Sequence, residues 1–175
     1  TVLTGGAIAI RATERATIDN EDGGTILGDG DDAVGAAYDD MAERLGSRGV
    51  ISPMAPSGVE LAFGMVNDPQ FDPLVMISAG GILVEVMSDA CFALAPFDTA
   101  EAHRLIDRLT IRKLLDGVRG KPAANVDAVA EALARFSVLA ATLGDAIDEI
   151  DVNPIIAGPD GCRAVDALVV PRVNG

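Results

Sequence analysis

The chain has 175 residues, with 27 acidic side chains against 13 basic ones, a single histidine and a formal net charge of -14. That length suits one domain or one and a half, and with 49% apolar and 23% charged residues it can bury a core, which excludes the sparsely hydrophobic class that stays disordered. Charge of this sign repels phosphate backbones and anionic lipid, and Lys and Arg occur singly or in pairs, so neither nucleic acid nor a membrane is expected as a partner.

Apolar runs are broken by Asp, Gly or Pro before reaching the roughly 18 to 20 residues of a spanning helix. No basic-then-apolar leader stands at Thr1. Cys91 and Cys162 lack the spacing of a zinc site or a disulfide scaffold, and both are expected as buried thiols of a cytoplasmic protein.

In chain order, Gly6 to Ala12 and Asp22 to Leu27 read as two short strands joined by a polar link. Asp31 or Asp32 can cap a helix carrying Val34, Ala37, Tyr38, Met41 and Leu45 at three- and four-residue steps, ended by Gly46 or Gly49. Val50 to Met54 returns to extended structure, and Pro53, Pro56 and Gly58 make the next link a stiff candidate hinge. Val59, Leu61, Phe63 and Met65 alternate with Glu60, Ala62 and Gly64, the period of a strand with one core face. Leu74 to Ala79, the Gly80-Gly81 turn and Ile82 to Met87 continue an antiparallel meander.

Asp98 with Glu101 forms a capping box for a helix that buries Ala102, Leu105, Ile106 and Leu109. A second helix presents Val126, Val129, Ala130, Leu133, Phe136, Ser137 and Ala140 and stops at Gly144. Glu149 to Val170 is a hairpin around Gly158-Pro159-Asp160-Gly161. Strands and helices alternate irregularly, which favours an α+β layer architecture.

That hairpin makes opposed residues sum to 319, so Asn153 faces Asp166, with Glu149 and Asp151 on the same strand face as Asn153. An unpaired charge in the apolar run around Asp166 would be costly, which calls for a cation beside it. Oxygen donors of this kind suit Mg²⁺ completed by phosphate and water, although the same groups could simply line a solvated sheet face. Glu60 shares its face with Ala62 and Gly64, which leave room for a ligand, or it is a solvent-facing edge residue. Gly80-Gly81, four residues before Glu85, offers backbone N–H groups to a phosphate or forms a plain turn. His103 lies off the apolar stripe and reads as a solvated surface residue.

The strings Met54-Ala55-Pro56-Ser57-Gly58-Val59-Glu60, Asp68-Pro69-Gln70-Phe71, Gly80-Gly81 with Glu85, Leu115-Asp116-Gly117-Val118-Arg119-Gly120 and Glu149-Ile150-Asp151-Val152-Asn153-Pro154 with Asp166 occur in this order. Together they resemble the ATP-grasp domain of ADP-forming acyl-CoA (acetyl-CoA type) synthetases, relatives of the succinyl-CoA synthetase β subunit. The resemblance implies an α+β ATP-grasp fold, antiparallel sheets with packed helices, whose two lobes hold Mg-ATP. Residues 1–54 would be the remnant of an incomplete N-terminal lobe, and residues 55–175 the second lobe with the site hairpin. It implies a reversible reaction of acyl-CoA, phosphate and ADP to acid, CoA and ATP through a phosphohistidine relay.

By position, the resemblance makes Asn153 and Asp166 the Mg²⁺ ligands, with Asp151 beside them, and Glu60 the nucleotide-side glutamate. Met54 and Ala55 fall in the segment whose backbone meets adenine. Arg11 stands where the family usually has a phosphate-binding Lys, and Ile18-Asp19 where it has His-Lys, so the relay histidine and one phosphate cation are missing. Weak Mg²⁺-dependent ADP or ATP binding is therefore expected, without turnover by this chain alone. The implied partners are CoA-binding and ligase domains of the same chain or of a partner subunit. The alternative is a degenerate ATP-grasp module with a binding or regulatory role in a larger fusion protein.

Overall fold

The computed structural model describes residues 16–19, 25–28, 35, 36, 39, 43, 50–53, 55–68, 70–81, 89–118 and 120–172. The chain divides into two compact units, Thr1–Ala55 and Pro56–Gly175.

In the first unit, β1 (Ala16–Asp19) lies between β2 (Thr25–Gly28) and β3 (Val50–Pro53) and is antiparallel to both. β2 and β3 fall where extended structure was expected. β1 occupies the stretch read as a polar link, where Ala-Thr-Ile-Asp offers two β-branched residues and an alternating pattern too short to stand out. The expected strand Gly6–Ala12 lies outside the described residues. Within the expected helix, Gly35, Ala36, Asp39 and Glu43 are helical.

The second unit is one antiparallel sheet with helices on one face. Its strands are β4 (Val59–Asp68), β5 (Asp72–Ala79), β6 (Ala90–Leu94), β7 (Ile147–Gly158) and β8 (Gly161–Ala164), in the order β6-β5-β4-β7-β8, and β9 (Leu168–Pro171) also pairs with β7. The helices are α1 (Thr99–Arg108), α2 (Arg112–Leu115) and α3 (Val126–Leu143). The expected strand Ile82–Met87 lies outside the described residues. On the side away from β4, β5 pairs with β6, whose run Ala-Cys-Phe-Ala-Leu carries no polar alternation to mark it as a strand.

Period two decides which face is buried. Leu61, Phe63 and Met65 of β4, Val75 and Ile77 of β5, and Ile150, Ile155 and Ala157 of β7 all point into the core. They meet Ala102, Leu105 and Ile106 of α1 and Val129, Leu133, Phe136 and Ala140 of α3, the stripes expected from helical spacing. Phe63 and Phe136 cross with ring centroids 5.8 Å apart.

Both long helices begin as their caps dictate. The Asp98 carboxylate accepts the Glu101 N–H at 2.9 Å and the Asn125 side chain accepts the Ala128 N–H at 3.0 Å. Glu101 does not complete the reciprocal half of a capping box, because its carboxylate pairs with Arg104. Cys91 is buried and Cys162 half-buried, both as free thiols, so the expectation of burial holds in full only for Cys91. Burial pushes both thiols up. No helix among the described residues is long and apolar enough to cross a membrane.

Candidate functional site

The sheet face turned away from the helices carries the polar candidates. Leu61 and Phe63 point inward, so Glu60 projects outward, where its side chain is exposed. Glu149 and Asp151 project to that same face from β7, because Ile150 between them is buried. The ladder between β4 and β7 slips by one residue: Leu61 faces Ile155 but Phe63 faces Val152. The extra residue falls at Asn153-Pro154, a bulge in an interior strand, which is where a proline without an N–H can be accommodated. Asn153 and Asp151 are half-buried.

The hairpin has the register expected from its turn. Ile155 pairs with Ala164, Ile156 with Arg163, and Gly158 with Gly161. Beyond β8 the Val165 N–H still donates to the Pro154 carbonyl at 3.0 Å, the ladder lapses at Asp166 and Ala167, and it resumes in β9 with Asp151 opposite Leu168 and Ile150 opposite Val169, the same sum of residue numbers. Asn153 and Asp166 therefore occupy corresponding places in the two arms, at the gap between β8 and β9. Asp166 is exposed there and its Oδ1 accepts the Ala167 N–H at 2.8 Å. Asp166 is therefore not the buried charge expected from its apolar neighbours: the returning arm is exposed from Arg163 onward, and no cation is needed there to offset burial.

A contact absent from the sequence reading draws the site together. The Gly81 N–H reaches the Asn153 Oδ1 at 3.4 Å, and the Gly80 N–H donates to the Glu60 carbonyl at 2.9 Å. Both amides of the glycine pair are thus engaged with the protein rather than held open for a phosphate. Gly81 has φ +59°, and a Cβ there would lie 1.7 Å from Glu60 Oε2. Glu60, Gly81 and Asn153 converge at one end of the outer face. Arg163, facing Ile156, which in turn faces Glu60, puts a guanidinium on the same row. Further along, Gly64, Val66, Met76 and Phe92 floor a shallow depression rimmed by Glu149 and Asp151.

Among the other candidates, Ala55 is half-buried, while Arg11, Met54 and Glu85 lie outside the described residues. His103 is half-buried rather than fully solvated, with Nε2 3.2 Å from Asp127 Oδ1. Among the described residues, no three His, Cys, Asp or Glu side chains gather closely enough to hold a metal ion by themselves.

The β subunit of ADP-forming acetate-CoA ligase I from Pyrococcus furiosus is 40% identical over 121 residues, which is 69% of this chain and 52% of that protein. The ADP-forming 4-hydroxybutyrate-CoA ligase of Nitrosopumilus maritimus is 36% identical over 134 residues, 75% of this chain and 19% of that protein. The chain thus spans about half the length of the first relative and a smaller share of the second. Among solved structures, the dinucleotide-forming acetyl-coenzyme A synthetase 1 of Ca. Korarchaeum cryptofilum, with coenzyme A and Mg-AMPPCP, superposes with a TM-score of 0.70 at 37% identity. That match covers 81% of this chain and 64% of the other. The ATP-grasp domain model matches residues 5–170, and on that match, with the antiparallel sheet and its one-sided helical layer, the chain belongs to the ATP-grasp domain family.

Proposed function

We propose that the chain is the nucleotide- and Mg²⁺-binding portion of an ADP-forming acyl-CoA synthetase, an acid-thiol ligase that interconverts acyl-CoA, phosphate and ADP with acid, CoA and ATP. The observation that carries this reading is the meeting of Glu60, the Gly81 N–H and Asn153 on the outer sheet face, with Asp166 at the place corresponding to Asn153 in the returning arm. The donor set is all oxygen: the Asn153 amide with the Asp166 and Asp151 carboxylates. Such donors fit a hard divalent ion that keeps water and takes phosphate oxygens for its remaining positions. When bound, Mg²⁺ would neutralise charge on the phosphate oxygens. Asn153, Asp166 and Asp151 would hold it, Glu60 would bind on the nucleotide side, and Arg11, Met54 and Ala55 would complete the nucleotide contacts. The CoA-binding and ligase domains would belong to the same protein or a partner subunit, in the cytoplasm.

Two measurements test the reading. Calorimetry should find weak ADP binding that requires Mg²⁺ and vanishes in Asp166→Ala. Losing one charge-assisted contact costs about 1.5 to 3 kcal/mol, roughly ten- to a hundred-fold in affinity. Metal-independent binding, or binding indifferent to Asp166→Ala, would refute the site. The purified chain should also form no ATP from acyl-CoA, ADP and phosphate, because the family resemblance implies a relay histidine where this chain has Ile18 and Asp19. That same substitution favours a second reading, a module retaining the fold in a binding or regulatory role. An adjacent CoA-binding domain in the full gene product would support the ligase, and fusion to an unrelated catalytic domain the second reading.

A further inference from the structure

We infer that Gly81 is a positioning residue that gathers Glu60 and Asn153 into one site, an inference that rests on the nucleotide and Mg²⁺ reading above. The sheet ladder alone does not bring these two side chains together. The partner of Glu60 on β7 is Ile156, three residues beyond Asn153, and the bulge at Asn153-Pro154 intervenes. The link is made from the end of β5. The Gly80 N–H to the Glu60 carbonyl fixes the turn against β4, and the next N–H, that of Gly81, points at the Asn153 side chain.

An N–H group can be satisfied only by the oxygen of an amide, never by its NH₂. The contact therefore turns the Asn153 oxygen, the atom able to ligate a hard cation, toward the site. At 3.4 Å the bond is long, so it orients the amide without using up the oxygen, whose second lone pair stays free. The φ of +59° at Gly81 aims this N–H, and the missing Cβ leaves the space that the Glu60 carboxylate fills. A side chain at position 81 would have to expel Glu60 or swing the N–H away from Asn153. Groups that orient a metal ligand in this way typically matter ten- to a hundred-fold in affinity.

The test compares Gly81→Ala with Gly117→Ala in the 175-residue chain. Gly117 has an equally demanding backbone, with φ +86° and a Cβ site 2.6 Å from the Lys121 carbonyl oxygen, but lies in the loop after α2, away from Glu60 and Asn153. Both variants should lower Tm, while only Gly81→Ala should weaken Mg-ADP binding, by tenfold or more. In Asn153→Ala the Gly81 amide should also exchange its hydrogen faster than in wild type. If wild type binds Mg-ADP and Gly81→Ala binds it equally well, or if both glycine variants weaken binding alike, the positioning role is overturned. Unchanged exchange at Gly81 in Asn153→Ala overturns it as well. Absence of binding in wild type would instead overturn the nucleotide reading on which the role depends.

Discussion

Asp89→Asn should lower the stability of the protein by about 2 to 3 kcal/mol at neutral pH, although the substitution changes almost no volume. The Asp89 side chain is buried and accepts two backbone N–H groups, from Thr110 at 2.8 Å and Ile111 at 3.0 Å, tying the segment before β6 to the turn between α1 and α2. Burial alone pushes this carboxyl up, but the bonds from Thr110 and Ile111 more than reverse it and hold the group below its ordinary 3.8. An amide keeps one acceptor and turns an NH₂ toward the other N–H, so one buried donor loses its partner; charge-assisted bonds of this kind are worth about 1.5 to 3 kcal/mol each. A carboxyl whose folded pKa lies below its unfolded one contributes stability that is fully present above the unfolded value and is lost as pH falls through the folded value. The gap between wild type and Asp89→Asn in urea unfolding should thus be constant from neutral pH to about pH 5 and close progressively below 3.8. A gap that persists unchanged to the lowest pH, or that widens there, would show that the ionised carboxylate is not what the two amides bind.

Asp89 also marks where local reading of the sequence stops. Its partners lie 21 and 22 residues away, and no pattern around Met87-Ser88-Asp89-Ala90 announces them. α1 and α3 were legible because their signals lie within one stretch of chain: Asp98 marks the start of α1, and in both helices the residues at three- and four-residue steps are the buried ones. The face of β4 was legible for the same reason at period two. β1 and β6 were not, since four or five residues give too little alternation to separate strand from link.

The candidate site divides along the same line. A tight turn fixes the register of whatever follows it, so the turn at Gly158-Pro159-Asp160-Gly161 alone determined that Asn153 and Asp166 correspond across the hairpin. Whether the arm carrying Asp166 is covered depends on what packs over it, and apolar neighbours in sequence are poor evidence when a strand lies at the sheet edge. Val165, Leu168 and Val169 are all exposed, so the hydrophobic run around Asp166 did not bury it. The bond from Gly81 to Asn153 spans 72 residues and depends on β5 and β7 flanking β4, a fact of topology rather than of local pattern. Glu60 and Asn153 could each be named from sequence, but their meeting could not.

Gly80→Ala should be the most damaging single-methyl addition to the outer sheet, costing about 3 kcal/mol, whereas Gly64→Ala on the same face should cost less than about 1 kcal/mol. The contrast follows from what each new Cβ would meet. At Gly80 the carbonyl oxygen, carbonyl carbon and nitrogen of Leu61 would lie at 2.5, 2.6 and 2.8 Å, all of them backbone of the central strand. Relief there requires the ends of β4 and β5 to separate, breaking the bond from the Gly80 N–H to the Glu60 carbonyl and disturbing Leu61, which is fully buried. Overpacking of this kind costs about 1 to 3 kcal/mol, and more where neighbours cannot relax. At Gly64 the tight contact is the Met76 Cε at 3.0 Å, the free end of a flexible side chain that can rotate aside into the shallow depression it lines. Alanine also loses less backbone entropy than glycine on entering a strand, which offsets part of what remains. Urea unfolding of the two variants decides the matter. Equal losses, or a larger loss at Gly64, would mean that the close approach of the Gly80 turn to Leu61 is not what holds Glu60 at the end of the sheet.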